Sequence, residues 1–166
     1  MLVYMALFTA LTTAATMVVR VPSPTGGYVN AGDAVVLLSA FLLGPLPGAV
    51  AAGVGSALAD LFAGYVLYVP ATLIIKGLTA LVAGLLLRRV GEKVTVSRTV
   101  LAAVPGEAVM VGGYYVFEAL FVTGSWTGAL VEIPGNLVQA AFGITAATAL
   151  LAALRKTPYV RAHAAH

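Results

Sequence analysis

Apolar residues run along this chain in about six long stretches, broken by glycine, proline and small clusters of charge. Within each stretch they cover every side instead of alternating with polar residues, the pattern of helices surrounded by lipid or by one another. At about 20 residues per crossing, the stretches predict six transmembrane helices over about 1–19, 34–43, 47–64, 70–87, 99–121 and 132–154. The expected fold is therefore an all-α integral membrane protein, a single membrane domain over residues 1–166.

The breaks refine that reading. The first run opens Met-Leu-Val-Tyr without the basic residues of a signal peptide, so it is expected to be a retained helix. Ala6, Ala10 and Ala14 recur on it every four residues and form a small-residue face suited to close helix contact, within the chain or with a partner. Arg20 to Asp33 holds two prolines and three glycines, cannot continue a helix and belongs at a membrane face. Asp33 is placed to cap the next helix, and Pro70 to open the fourth. Arg88, Arg89, Glu92, Lys93 and Arg98 mark the connection before the fifth helix, and Arg155, Lys156 and Arg161 follow the sixth.

Composition makes a soluble fold untenable, since 61% of residues are hydrophobic, 9% are charged and the mean hydropathy is +1.02. Arg and Lys in short connections stay cytoplasmic. That rule puts both termini in the cytoplasm, with Arg20 outside and Lys76 inside the membrane. Cysteine is absent, which excludes disulfides and thiolate chemistry.

Ionisable residues within membrane helices usually face a partner, a cavity or a substrate. Glu107, Val111, Tyr114 and Glu118 share one face of the fifth helix, and Glu132, Asn136, Gln139 and Gly143 share one face of the sixth. Asp60 and Lys76 are expected at similar depth on neighbouring helices, either as an ion pair or with Lys76 as a ligand contact held charged by Asp60. Asn136 and Gln139 suit either a ligand or hydrogen bonds between helices. Together with aromatic walls from Tyr65, Tyr68, Tyr114, Tyr115 and Trp126, these groups predict a site open to the outside for a small, flat, polar solute. Glu107 lies about 16 Å from Glu118 along the helix and receives no role. His163 and His166 fall in a tail without chemical signal. Metal, nucleotide and nucleophile motifs are absent, so neither a catalytic centre nor a metal or cofactor site is expected.

The alanine spacing, Asn30-Ala31-Gly32-Asp33, Gly55 through Asp60 to Gly64-Tyr65, the Pro70 to Gly77 segment and Gly135-Asn136-Leu137-Val138-Gln139 together resemble the substrate-binding S component of an energy-coupling factor (ECF) vitamin transporter. The resemblance implies a subunit of an ATP-driven vitamin importer in a prokaryotic plasma membrane. Its partners would be a transmembrane coupling protein, docked at Ala6, Ala10 and Ala14, and two ATPases; no nucleic acid is implied. The loop through Asn30 would cover the substrate, with Tyr68, Lys76, Tyr114, Glu118, Trp126, Asn136 and Gln139 as binding residues. Riboflavin-binding members commonly carry Asn and Lys three residues apart in the sixth helix. Here Gln139 takes the second place, which speaks against riboflavin itself and leaves a vitamin or precursor of pyrimidine, pyridoxine or related flavin type as the expected ligand. The competing expectation is a non-catalytic membrane scaffold whose polar residues serve assembly.

Overall fold

The structure, a computed structural model, describes residues 1–89 and 95–156. Glu92, Lys93, Arg161, His163 and His166 lie outside the described residues. Helix α1, Leu2–Val18, leads into a hairpin of two short antiparallel strands, β1 (Arg20–Pro22) and β2 (Tyr28–Asn30), in which Arg20 pairs with Asn30 and Pro22 with Tyr28. Pro22 and Pro24 prevent helix here, and Gly26 turns the chain at a φ of 95° that side chains resist. The segment expected only to be non-helical thus has a defined shape.

Helices α2 (Asp33–Leu43) and α3 (Pro45–Phe62) follow, divided by Gly44 at a φ of 90°. Next come α4 (Val69–Arg89) and α5 (Val96–Phe117), the latter capped by the Thr95 hydroxyl, which accepts from the Arg98 N–H. Beyond α5 lie a π-helical turn at Glu118–Val122, a four-residue helix α6 (Trp126–Ala129), a 3-10 turn at Leu130–Glu132 and the long α7 (Ile133–Leu154). Among the described residues, four stretches are long and apolar enough to cross a membrane: Pro45–Phe62, Val69–Arg89, Val96–Val122 and Trp126–Leu154. Leu2–Val18 and Asp33–Leu43 are apolar but shorter.

At 11 residues, α2 extends only about 16 Å, yet it is the element around which the others gather. It packs against α1, α3, α4 and α7, and Val36, Leu37 and Ser39 are fully buried. Lipid supplies little hydrophobic drive between helices, so close backbone approach has to supply the cohesion. Glycine provides it. A β-carbon on Gly48 would lie 2.6 Å from the Ala40 Cα, and one on Gly106 would lie 2.8 Å from the Thr79 carbonyl. The Ser39 hydroxyl fastens the first contact by donating to the Gly48 carbonyl at 3.0 Å.

Gly48→Val is expected to lower stability by about 1–3 kcal/mol through overpacking of α2 on α3. Gly112→Ala, where an added carbon meets nothing within 4 Å, is expected to leave it unchanged. Thermal unfolding of both variants in detergent checks the contrast.

Candidate functional site

The helix ends nearest the hairpin collect most of the polar side chains, and depth decides which of them pair. Lys76 lies seven residues into α4, about 10 Å along its axis, whereas Asp60 lies two residues from the end of α3, about 3 Å. The expected Asp60–Lys76 pair therefore does not form. Lys76 instead forms an ion pair with Asp33, at the first residue of α2, and both are almost fully buried. Asp33 does not cap its helix: the capping position falls to Gly32, because the Asp33 carboxylate is committed to lysine. The pair lies beside the Tyr114 ring, whose centroid is 5.5 Å from Lys76 Nζ. Gly143 of α7 makes room for it, since a β-carbon there would sit 2.7 Å from that of Asp33.

Gln139 joins this buried pair to the hairpin. Its Nε2 donates to Asp33 Oδ2 at 2.7 Å, and its Oε1 accepts from the Asn30 N–H at 2.6 Å. Two further contacts hold the hairpin down. The N–H and hydroxyl of Thr25 both donate to Glu132 Oε1, at 3.0 and 2.5 Å, and the Tyr28 hydroxyl donates to Asp60. Burial, reinforced by the hydrogen bond to Asp60, pushes the Tyr28 phenol well above its ordinary pKa, so it remains a donor across the physiological range. Tyr68 is raised in the same way, by burial and by donation to Glu118 Oε1 at 2.8 Å.

Between hairpin and helices lies a cavity lined by Gly27, Tyr28, Asn30, Asp60, Tyr68, Thr72, Tyr114, Glu118, Glu132, Asn136 and Gln139. The centres of water-sized molecules have about 30 Å³ of free space in it, room for one or two waters. Six of the expected binding residues meet here: Asn30, Tyr68, Tyr114, Glu118, Asn136 and Gln139. Lys76 does not line the cavity and lies with Asp33. Trp126 is elsewhere, half exposed on α6 with its ring 5.7 Å from that of Tyr115. Tyr65 packs on Tyr28 at 4.7 Å and, like Tyr115, does not line the space. Glu107 is buried away from the cavity, with neither oxygen hydrogen-bonded.

Sequence reasoning missed Gly27, Tyr28 and Thr72 as lining groups; Asp60 was expected in one wall beside Lys76, and Glu132 stood in the polar stripe without an assigned binding role. Glu132 carried a signal, being the first member of the Asn136 and Gln139 stripe. Tyr28 carried none, because its position depends on hairpin pairing.

Two lining groups have unused hydrogen-bonding capacity. Asn136 is only 7% exposed and makes no side-chain hydrogen bond among the described residues. Glu118 Oε2 is buried without a partner. Glu118 opens the π-helical turn, a device that recurs where a helix must aim a functional side chain. No group of three or more acidic or histidine side chains among the described residues could hold a metal ion.

Lys76→Met is expected to destabilise the protein by about 3–5 kcal/mol, since it leaves the Asp33 carboxylate buried and unpaired. Adding Asp33→Asn should recover much of that loss, as read by unfolding in detergent. Tyr28→Phe is expected to leave the helices intact and to speed amide hydrogen exchange in residues 20–30, because it removes one of the contacts holding the hairpin.

Comparison with known proteins places these features in a family. Residues 1–156 match the family model described as the ECF-type riboflavin transporter, S component. An uncharacterized protein in the gap 3' region of Pyrococcus woesei is 41% identical over 133 residues, which cover 80% of this chain and 86% of that protein. With nearly its whole length matched, and with apolar helices enclosing a polar cavity, this chain belongs to the S components of ECF-type riboflavin transporters, the substrate-binding membrane subunits of those systems.

Proposed function

We propose that this chain captures a small vitamin or vitamin precursor of pyrimidine, pyridoxine or flavin type at the outer face of a prokaryotic plasma membrane and delivers it inward with an energy module. The observation that carries this reading is the polar cavity beneath the hairpin, with Asn136 and Glu118 Oε2 left unpaired in it. Both line the space a ligand would enter, where a bound polar edge would satisfy them. The free space is too small for a vitamin while the hairpin is down, so entry requires release of its contacts to Glu132, Gln139 and Asp60. Opening the hairpin admits ligand, and closing it removes the ligand from water.

The basic residues support an orientation with both termini in the cytoplasm, since Arg88, Arg89, Arg98, Arg155 and Lys156 all lie at the end away from the hairpin. In this arrangement α1 crosses the membrane, and α2 with the hairpin above it makes up the second of six crossings in a single membrane domain. Ala6, Ala10 and Ala14 are exposed along α1 and form a shallow apolar groove with Leu58 and Phe62 of α3. That groove is the proposed docking face for a transmembrane coupling protein carrying two ATPases. By analogy with the family, ATP hydrolysis there would tilt the loaded subunit within the membrane and release its ligand inward.

Purified protein, presented with a panel of B vitamins and their precursors including riboflavin, is expected to bind at least one saturably. Native mass spectrometry should also detect ligand carried through purification. Asn136→Ala is expected to weaken that binding by about tenfold or more, the equivalent of about one well-made hydrogen bond, without loss of thermal stability. Ala10→Leu is expected to stop uptake by cells that supply the energy module while leaving binding intact. Absence of both retained ligand and saturable binding would overturn the reading.

A further inference from the structure

One buried acid takes no part in the cavity. Glu107, in the middle of α5, is 2% exposed, and neither of its carboxyl oxygens has a hydrogen-bond partner among the described residues. It lies beside the Asp33–Lys76 pair. A β-carbon on Gly143 would sit 3.3 Å from Glu107 Oε1 and 2.7 Å from the β-carbon of Asp33, so the two acids approach each other across the slot that this glycine leaves. Asp33 on α2 and Lys76 on α4 are the charged groups that act on Glu107. Helix α7 has no charged residue from Ile133 to Leu154, and Arg98 and Glu118 lie roughly 14 and 16 Å away along the axis of α5.

Two acids therefore stand around one lysine. The lysine is committed to Asp33 Oδ1, and Gln139 takes the other oxygen of Asp33. With both acids ionised the cluster would hold an uncompensated negative charge inside the bundle, where an isolated carboxylate takes up a proton instead of staying charged. We propose that Glu107 is a proton-binding site: it holds one proton as a neutral acid while Asp33 holds Lys76, and it is the reserve counter-ion of that lysine. When Asp33 loses its hold, the Glu107 proton passes to the Asp33 carboxylate and the Glu107 carboxylate takes the ammonium. One proton and one lysine are then still shared by two acids, and the cluster stays neutral. The hairpin ends at Asn30, close in the chain to Asp33. Water admitted by the hairpin opening proposed above reaches the Asp33 side of the pair, whereas Glu107 does not line the cavity. A second acid there keeps the lysine fixed while the cover is off. The proton assignment itself is independent of any ligand.

The test is a double-mutant cycle on the full chain, read at neutral pH by thermal unfolding in detergent and by infrared spectra of the same proteins. Asp33→Asn and Glu107→Gln each leave one carboxyl for Lys76, so each alone is expected to shift the unfolding midpoint only slightly. Together they strand a buried ammonium, and the double variant is expected to unfold about 10 °C or more below the sum of the two single shifts. In the infrared, Glu107→Gln is expected to remove part of the protonated-carboxyl band of the unaltered protein. Asp33→Asn should remove the same part, although Glu107 is untouched in it, because Glu107 ionises to hold the lysine; a glutamate that only fills space would keep its band. Where Glu107→Gln folds poorly, Glu107→Met completes the same cycle and the same spectrum. Additive shifts, collapse of Asp33→Asn on its own, or a band that the Glu107 variant leaves unaltered overturns the proposal.

Discussion

A lysine and an aspartate inside a membrane bundle are tolerable only together, and the pairing of Lys76 with Asp33 governs the rest of this molecule. It fixes α4 against the head of α2, and through Gln139 it fixes α7 against both. The same glutamine holds the Asn30 N–H, so the hairpin rests on the buried pair through a single amide. Orientation of that amide is unambiguous, because the carboxylate needs the NH₂ and the backbone N–H needs the oxygen. The floor of the cavity is therefore assembled before any ligand arrives, and the cost of burying two charges is offset by the order they impose.

Above that floor the contacts are of a different kind. Thr25 on Glu132, Tyr28 on Asp60 and Tyr68 on Glu118 are hydrogen bonds between side chains at or near the ends of elements, not close approaches of backbone. Such contacts can break without disturbing the glycine-mediated core around α2, where Gly48 and Gly106 bring backbones together. Under the proposed function the molecule divides by depth into a fixed inner part and a releasable cover. A subunit that must open to water, close over a ligand and remain folded in lipid throughout needs both.

Much of this was legible in the sequence. Helical periodicity alone placed Tyr114 and Glu118 on one face of the expected fifth helix, and Asn136 and Gln139 on one face of the sixth, and those four do line the cavity. The partners were not legible. Asp60 and Lys76 look equivalent when depth is counted from Gly64 and Pro70, but α3 ends at Phe62 and α4 begins at Val69, which places them about 7 Å, roughly a turn and a half, apart. Asp33 lies just beyond a loop whose shape depends on Arg20 pairing with Asn30, a contact invisible to periodicity. Trp126 lies outside the cavity for a related reason: the π-helical turn and α6 carry it away.

The shortness of α2 has a further consequence. Its neighbours α4 and α7 run past it toward the hairpin, so beyond Asp33 the column that a longer helix would fill is taken instead by residues 20–30 and the small cavity beneath them. Binding volume here comes from chain left out, which separates capacity from stability: lengthening or reshaping the hairpin changes what the column can hold while every contact below Asp33 stays as it is. One framework of six principal helices can in this way be refitted to ligands of different size by editing about a dozen residues that no helix depends on.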